Sequence, residues 1–287
     1  MAKYICTADW HLKKAVPVCR TETEEEWFAY QFKIIYQILD LCEKYESTLL
    51  IAGDLFDRAV PGQKLINTFL LNFKNLDFKI IAIAGNHDLP YHNFNLINES
   101  AFDTLTQGNI FDHSSEITEH HFNTEKDKDR DIVICHHLCF PDKKSIPPNV
   151  NAYIPDDIFD MYPTAKYIIC GDYHQGHVTE KDGRFVIVPG CTTIQAADLI
   201  NYDPKVYLLD TNNNTIEAIK LTNNKDNISN LHITEQNERD TRIDEFIDSL
   251  VRNKKISLDF VLNVKRILET KIDEDVKKII IQIMEEI

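Results

Sequence analysis

Five short clusters of metal-type ligands are spaced along the chain: Asp9-Trp-His11, Gly53-Asp54-Leu-Phe-Asp57, Gly85-Asn86-His87-Asp88, His136-His137 and Gly171-Asp172-Tyr-His174. Carboxylates suit hard divalent ions and imidazole suits Mn, Fe and Zn, so a mixed Asp, His and Asn set points to transition metals more than to calcium. Two such ions about 3.5–4 Å apart lower the pKa of a bridging water, align it with a leaving group and neutralise phosphate charge. That chemistry is phosphoester hydrolysis without a covalent protein intermediate. Asp54 suits the bridging carboxylate, because Gly53 allows a tight turn beside the ions. Asp9 and His11, two residues apart at the end of an extended strand, can face one ion from the same side. Asn86 can offer its amide oxygen to the other ion, and His87 next to it can reach the substrate. No cluster is specific alone, since Gly-Asp and Gly-Asn are ordinary turn dipeptides. The weight lies in five clusters in a compatible order. His120-His121 is a further pair, but without a strong apolar strand and a glycine-bearing turn it reads as solvated or structural.

Each cluster follows a short apolar run rich in β-formers: residues 3–7, 48–52, 78–84, 131–135 and 165–170. Each therefore sits where a strand ends, and loops at strand ends are where α/β folds gather chemistry. Between the first two clusters, Trp27, Phe28, Phe32, Ile35, Ile38, Leu39 and Cys42 recur at helical spacing, and the polar, acidic stretch 21–26 suits a helix start. A second helix is predicted over 63–73. Alternating strands and helices favour a largely parallel layered sheet, whereas the strand-rich runs 185–188, 205–209 and 215–221 add a mixed character. Residues 222–240 are polar and rich in Asn, which reads as a linker. Beyond them, Ile243, Phe246, Ile247 and Leu250 begin the first of three amphipathic helical patterns. The predicted organisation is a catalytic domain over 1–222, a linker over 223–240 and a helical unit over 241–287.

With 287 residues and 43% hydrophobic content the chain can bury a sizeable core, and its formal charge of -15 argues against a broad nucleic-acid-coating surface. A local nucleic-acid site is compatible with that charge, because two divalent ions add about four positive charges where carboxylates converge. Seven cysteines lack CxxC spacing, and Cys6, Cys135 and Cys170 fall within apolar strand runs, as buried thiols of a reducing compartment would. No leader pattern and no run of 18 apolar residues appears, so a cytoplasmic protein is expected, with no membrane association. Neither a Gly-x-x-x-x-Gly-Lys loop nor a Gly-x-Ser-x-Gly elbow is present, which argues against ATP hydrolysis and serine-hydrolase chemistry.

The series Asp-x-His, Gly-Asp-x-x-Asp, Gly-Asn-His-Asp, His and Gly-x-x-His resembles the calcineurin-like metallophosphoesterases over roughly residues 3–221. Ala8-Asp-Trp-His-Leu12, the Gly53 to Pro61 segment and Ala84-Gly-Asn-His-Asp88 look like the SbcD/Mre11 nuclease branch, and Val188-Pro-Gly-Cys-Thr192 is similar to its Pro-Gly-Ser segment. The resemblance implies a four-layer α/β sandwich with mixed sheets and a small C-terminal helical unit. It implies that Asp9, His11, Asp54 and His174 hold one divalent ion, and that Asp54 bridges to a second held with Asn86 and His136. His87 would be the catalytic histidine that protonates the leaving oxygen or stabilises the phosphorane-like charge. His137 is the alternative to His136, because neighbouring strand residues point oppositely. The family usually reads Gly-His-x-His at the last cluster, and here Asp172 stands where an imidazole is expected. Asp172 as a harder ligand favours Mn or Mg over Zn; a weakly bound second ion, or His177 through a shifted turn, are the alternatives. The implied function is a DNA exo/endonuclease subunit in repair and recombination. The implied partners are DNA, an SbcC/Rad50-like ATPase docked through the C-terminal helices, and in some assemblies a second copy. A small-molecule phosphodiesterase or phosphatase, or a catalytically weakened metal-bound scaffold, are the competing readings.

Overall fold

The apolar runs become strands because their side chains alternate between two buried faces. In the computed structural model of the chain, residues 2–125, 130–223, 225–229 and 277–278 are described. One sheet contains β1 (Lys3–Thr7), β2 (Thr48–Ala52) and β3 (Ile80–Ile83); the other contains β4 (Ile117–His120), β5 (Ile132–His136), β6 (Tyr167–Gly171), β7 (His177–Lys181) and β8 (Arg184–Val188). Strands β9 (Lys205–Asp210) and β10 (Thr215–Lys220) return to the first sheet. The orders are β10-β9-β1-β2-β3 and β4-β5-β6-β8-β7. β1, β2 and β3 are parallel, as are β4, β5, β6 and β8, while β7, β9 and β10 pair antiparallel. Both sheets are mixed.

Alternation along the strands builds the layers. Tyr4, Cys6, Leu50 and Ala52 face Ile132, Ile134 and Ile169 in an apolar seam between the two sheets. Ile5, Leu49 and Ile51 point the other way, into a cluster with helices α1 (Glu24–Tyr45), α2 (Gln63–Phe73) and α3 (Ala101–Gln107). Val133, Cys135, Ile168 and Cys170 likewise meet Ile158 and Phe159 of α4 (Pro155–Met161). The result is the expected four-layer α/β sandwich. Helix α1 starts in a capping box in which the Thr23 side chain accepts from the Glu26 N–H and the Glu26 carboxylate accepts from the Thr23 N–H. All seven cysteines are buried free thiols.

Four elements lacked a sequence signal, the four-residue β4 among them. α3 and α4 span only two turns each, and edge strand β7, His-Val-Thr-Glu-Lys, has no apolar run. Of the two readings of the His120-His121 pair, solvated or structural, the packing supports the second: His120 ends β4, is buried and bonds the Tyr162 hydroxyl, while His121 Nδ1 accepts from the Ala84 N–H at 2.9 Å. Both histidines are structural.

The chain divides into compact units Met1–Ser229 and Asn230–Ile287. Residues 225–229, expected at the start of a linker, are tied to the loop before α1: Ser229 N–H donates to the Cys19 carbonyl at 2.7 Å and Thr21 N–H to that of Asn227 at 3.0 Å. Residues 224 and 230–240 of the expected linker and, apart from 277–278, the expected helical unit over 241–287 lie outside the described residues. Among the described residues no helix is long and apolar enough to cross a membrane.

Candidate metal centre

β1, β2, β3, β5 and β6 run parallel within their sheets, so the loops that follow them emerge together, and each carries one ligand cluster. β1 ends at Thr7, before Asp9 and His11. These two residues do not continue the strand as expected from their spacing; both adopt left-handed backbone, with φ of 52° and 44°. Their side chains converge through that turn and through bonds to the next loop: Asp9 N–H to the Gly53 carbonyl at 3.1 Å and His11 N–H to that of Asp54 at 3.0 Å. Asp54 and Asp172 are left-handed too, at 53° and 82°. Asp and His tolerate this region better than most side chains, which reconciles the strained turns with ligand chemistry.

Gly53 and Gly85 leave the room the cluster needs. A Cβ on Gly53 would lie 2.3 Å from His136 Nδ1, and one on Gly85 2.2 Å from Asp54 Oδ1. Buried Asp88 then fixes the two loops to each other, accepting from the N–H groups of Leu55, Phe56 and Gly85 at 3.1, 2.9 and 3.0 Å.

Six predicted ligands meet in one place. Asp54 Oδ2 lies 3.5 Å from both His11 Nε2 and His136 Nε2. His11 Nε2 is 3.1 Å from His174 Nε2, and His136 Nε2 is 2.9 Å from Asn86 Oδ1. Asp9 joins His11 and His174 in one group able to hold an ion, and joins Asp54 and His136 in another. Asp172 stands further out, its Oδ1 3.9 Å from His136 Nε2, while its N–H donates to Asp9 Oδ1 at 3.0 Å. His136 Nδ1–H donates to the Ala52 carbonyl at 2.8 Å, which directs Nε2 into the cluster. His137 turns away, packing on Tyr153 and His120 and bonding the Tyr162 hydroxyl. His177 is likewise outside the cluster, donating from Nε2 to the Cys139 carbonyl at 3.0 Å.

The electrostatics fit a cation. Asp9 Oδ2 and Asp54 Oδ2 are buried with no hydrogen-bond partner, a costly state for a carboxylate oxygen without a positive neighbour. Burial pushes the Asp9 carboxyl well up, with repulsion from Asp54 adding to it. Burial acts on Asp54 in the same direction, but His136, His11 and His87 together outweigh it and hold Asp54 below the usual carboxylate range. His136 itself, disfavoured as a cation by burial, is raised to about 10 by Asp54, Asp172 and Asp9. Three carboxylates thus converge on His136, and divalent ions would supply the positive charge that balances them.

His87 completes the rim. Its N–H donates to Asp54 Oδ1 at 2.8 Å, and its ring Nδ1–H to the Asp57 carbonyl at 3.0 Å, leaving Nε2 as the exchangeable ring position. His87 also lies close enough to His11 and Asp54 to form a ligand group with them. A cleft of about 180 Å³ opens here, its lining including His11, Lys13, Asp57, His87, His174 and Cys191. Gln195, which no motif marked, braces the first loop: its Nε2 donates to the carbonyls of Trp10 and His11, each at 3.2 Å. A lone Gln beyond the last cluster has no sequence signature, so only the fold could reveal it.

With this geometry the family model of the calcineurin-like phosphoesterases matches residues 2–176. The chain belongs to this family. It is similar to the SbcD component of nuclease SbcCD from Staphylococcus epidermidis, 34% identical over 91 residues, which are 30% of this chain and 23% of that one. Against the SbcD component of the Escherichia coli K12 nuclease it is 28% identical over 86 residues, 29% of this chain and 20% of the relative. The matches thus span less than a quarter of each relative, and they support the SbcD-type branch of the phosphoesterases. Among solved structures, an archaeal phosphodiesterase aligns with TM-score 0.41 at 17% identity, covering 76% of this chain and 99% of that one. Vps29 of Entamoeba histolytica in complex with zinc aligns with TM-score 0.36 at 12% identity, over 76% and 97%. At these scores neither bears on function, and the fold rests on the family match and on the topology of the two sheets.

Proposed function

We propose that this phosphoesterase is a two-metal phosphodiesterase acting on DNA, an exo/endonuclease subunit of the SbcD/Mre11 type. The observation that carries the hydrolytic reading is the convergence of buried, unpartnered Asp9 Oδ2 and Asp54 Oδ2 on the ring nitrogens of His11, His136 and His174. Support for DNA comes from the similarity to the SbcD component of nuclease SbcCD. In this assignment Asp9, His11, Asp54 and His174 hold one ion, and Asp54, Asn86, His136 and Asp172 hold the other. Manganese is the proposed metal, with magnesium the alternative, because Asp172 makes the second set rich in hard oxygen donors. Bound there, the pair supplies Lewis-acid stabilisation of the phosphodiester and acidifies water.

The protein groups do the rest. Asp54 orients the His87 backbone, and Asp57 fixes the His87 tautomer so that Nε2 can hold or deliver a proton at the leaving oxygen. Lys13, held on Asp57 at 2.7 Å, is among the described residues the only lysine or arginine lining the cleft, and it suits a substrate phosphate oxygen. We further propose an SbcC/Rad50-like ATPase as partner, association into a homodimer, and a cytoplasmic role in DNA repair and recombination, in keeping with seven free thiols.

A small-molecule phosphodiesterase is the second reading, favoured by the net charge of -15 and by a cleft whose described lining has a single lysine or arginine. Incubating the purified chain with Mn and labelled single- and double-stranded DNA, beside bis-p-nitrophenyl phosphate and cyclic nucleotides, separates the two. DNA degradation that stops on chelation is the expected result. Hydrolysis of the small esters alone selects the second reading, and no turnover of any substrate leaves a metal-bound scaffold.

Asp172→His tests the departure from the family pattern. Histidine tolerates the left-handed backbone at this position, and its longer side chain reaches further towards His136. Affinity at the second site should move towards zinc relative to manganese, read by competitive metal titration. Unchanged Mn, Mg and Zn affinities together with unchanged activity mean that residue 172 does not reach an ion.

A further inference from the structure

The loop after His87 holds an aromatic ring in solvent by means of a strained and well-pinned backbone. Tyr91 is 91% exposed. Tyr91 and His92 both adopt left-handed φ, 52° and 55°, although neither is glycine and Tyr91 is bulky. The turn is held from several directions. Leu89 is buried beneath it, His92 N–H donates to the Leu89 carbonyl at 3.1 Å, and Asn93 N–H to that of Pro90 at 3.0 Å. His92 Nδ1–H reaches back to the Asn86 carbonyl at 2.8 Å, and Asn123 Nδ2 donates to the His92 carbonyl at 3.3 Å. Backbone strain that surrounding bonds maintain is characteristic of ligand clamps. The clamp here adjoins the chemistry: Asn86 and His87 belong to the candidate centre, and the His92 ring lies 6.0 Å from that of His87.

We propose that Tyr91 is a stacking platform for a nucleobase, so that the site takes a single strand or frayed end with one base unstacked beside the cleaved phosphate. This rests on the reading of the centre as a phosphodiesterase acting on DNA. The surroundings favour a base over a protein partner. A docking patch needs contiguous apolar surface, whereas Tyr91 stands between Pro90 and the exposed polar residues His92, Asn93 and Asn95. A base needs only one exposed ring face, and a ring held by a stiff turn loses little freedom on binding.

The test is equilibrium binding by the full chain, in Mn, of a short single-stranded oligonucleotide with phosphorothioate linkages and a 2-aminopurine reporter. Tyr91→Ala should weaken binding about 5- to 150-fold, the range for losing one base–aromatic stack. Tyr91→Phe should bind within about twofold of the unaltered chain, since stacking uses the ring and not the hydroxyl. A strand of the same length built of abasic units should bind the unaltered chain and the alanine variant equally, the cycle that isolates the stack. Equal affinity of the unaltered chain and the alanine variant for the base-bearing strand overturns the proposal, as does failure of the unaltered chain to bind it. Binding that depends on Tyr91, without cleavage of the ordinary phosphodiester strand, sinks the nuclease reading and leaves the platform standing. Cleavage with no dependence of binding on Tyr91 does the reverse.

Discussion

Replacing Asp54 by asparagine is expected to strip the centre of its ions and abolish hydrolysis while leaving the fold in place. Asp54 is the residue assigned to both ions, and its Oδ2 is equidistant, at 3.5 Å, from His11 and His136. Asparagine keeps the shape, accepts the left-handed backbone, and preserves an oxygen for the His87 N–H. It replaces the shared carboxylate oxygen with an amide N–H₂, which cannot ligate, and it removes one negative charge from the pair. Altering a residue merely behind a ligand typically costs about 10- to 100-fold in metal affinity, so losing the bridge should exceed about 100-fold. Metal counting by emission spectrometry beside a turnover assay reads both effects. Two retained ions with full turnover would sink the assignment.

His87→Ala separates chemistry from ligation. Hydrolysis should fall about 10²- to 10⁴-fold, the usual contribution of a general acid or base, while both ions stay bound. The structure makes this a sharp choice, because His87 also lies within ligand range of His11 and Asp54. Loss of metal together with activity identifies His87 as a ligand instead. The deficit should be smaller for substrates with good leaving groups, such as p-nitrophenolate, since they need less protonation.

Much of the unit Met1–Ser229 was legible because hydrophobic patterning and candidate chemistry coincide there. Runs such as Thr48–Ala52 are buried on both faces, so they read as strands, and each ends at a cluster of candidate ligands. The second sheet was harder. β4 is four residues long, and β7 keeps most of its side chains partly or fully exposed, so neither rises above loop sequence. The convergence of Asp9 and His11 was anticipated for the wrong reason: strand alternation was expected, and paired left-handed residues achieve it. Backbone roles left no trace at all, since the Asp57 carbonyl that fixes His87 and the Trp10 and His11 carbonyls braced by Gln195 depend on tertiary proximity. The choice between His136 and His137 needed the facing of β5, which alternation alone leaves undetermined.

The ligand loops do not belong to one sheet. Asp9, Asp54 and Asn86 follow β1, β2 and β3, whereas His136 ends β5 and Asp172 and His174 follow β6. The sheets otherwise meet through a seam of aliphatic and aromatic side chains, which is non-directional and tolerant of small slips. An ion gripped from both sides would act as a rivet through that seam, with bond lengths that permit little sliding. Its binding free energy would then enter the unfolding equilibrium, about 2.7 kcal/mol when the free ion stands at a hundred times its dissociation constant. Chelators would therefore act on this protein twice, silencing the site and loosening the register of one sheet against the other.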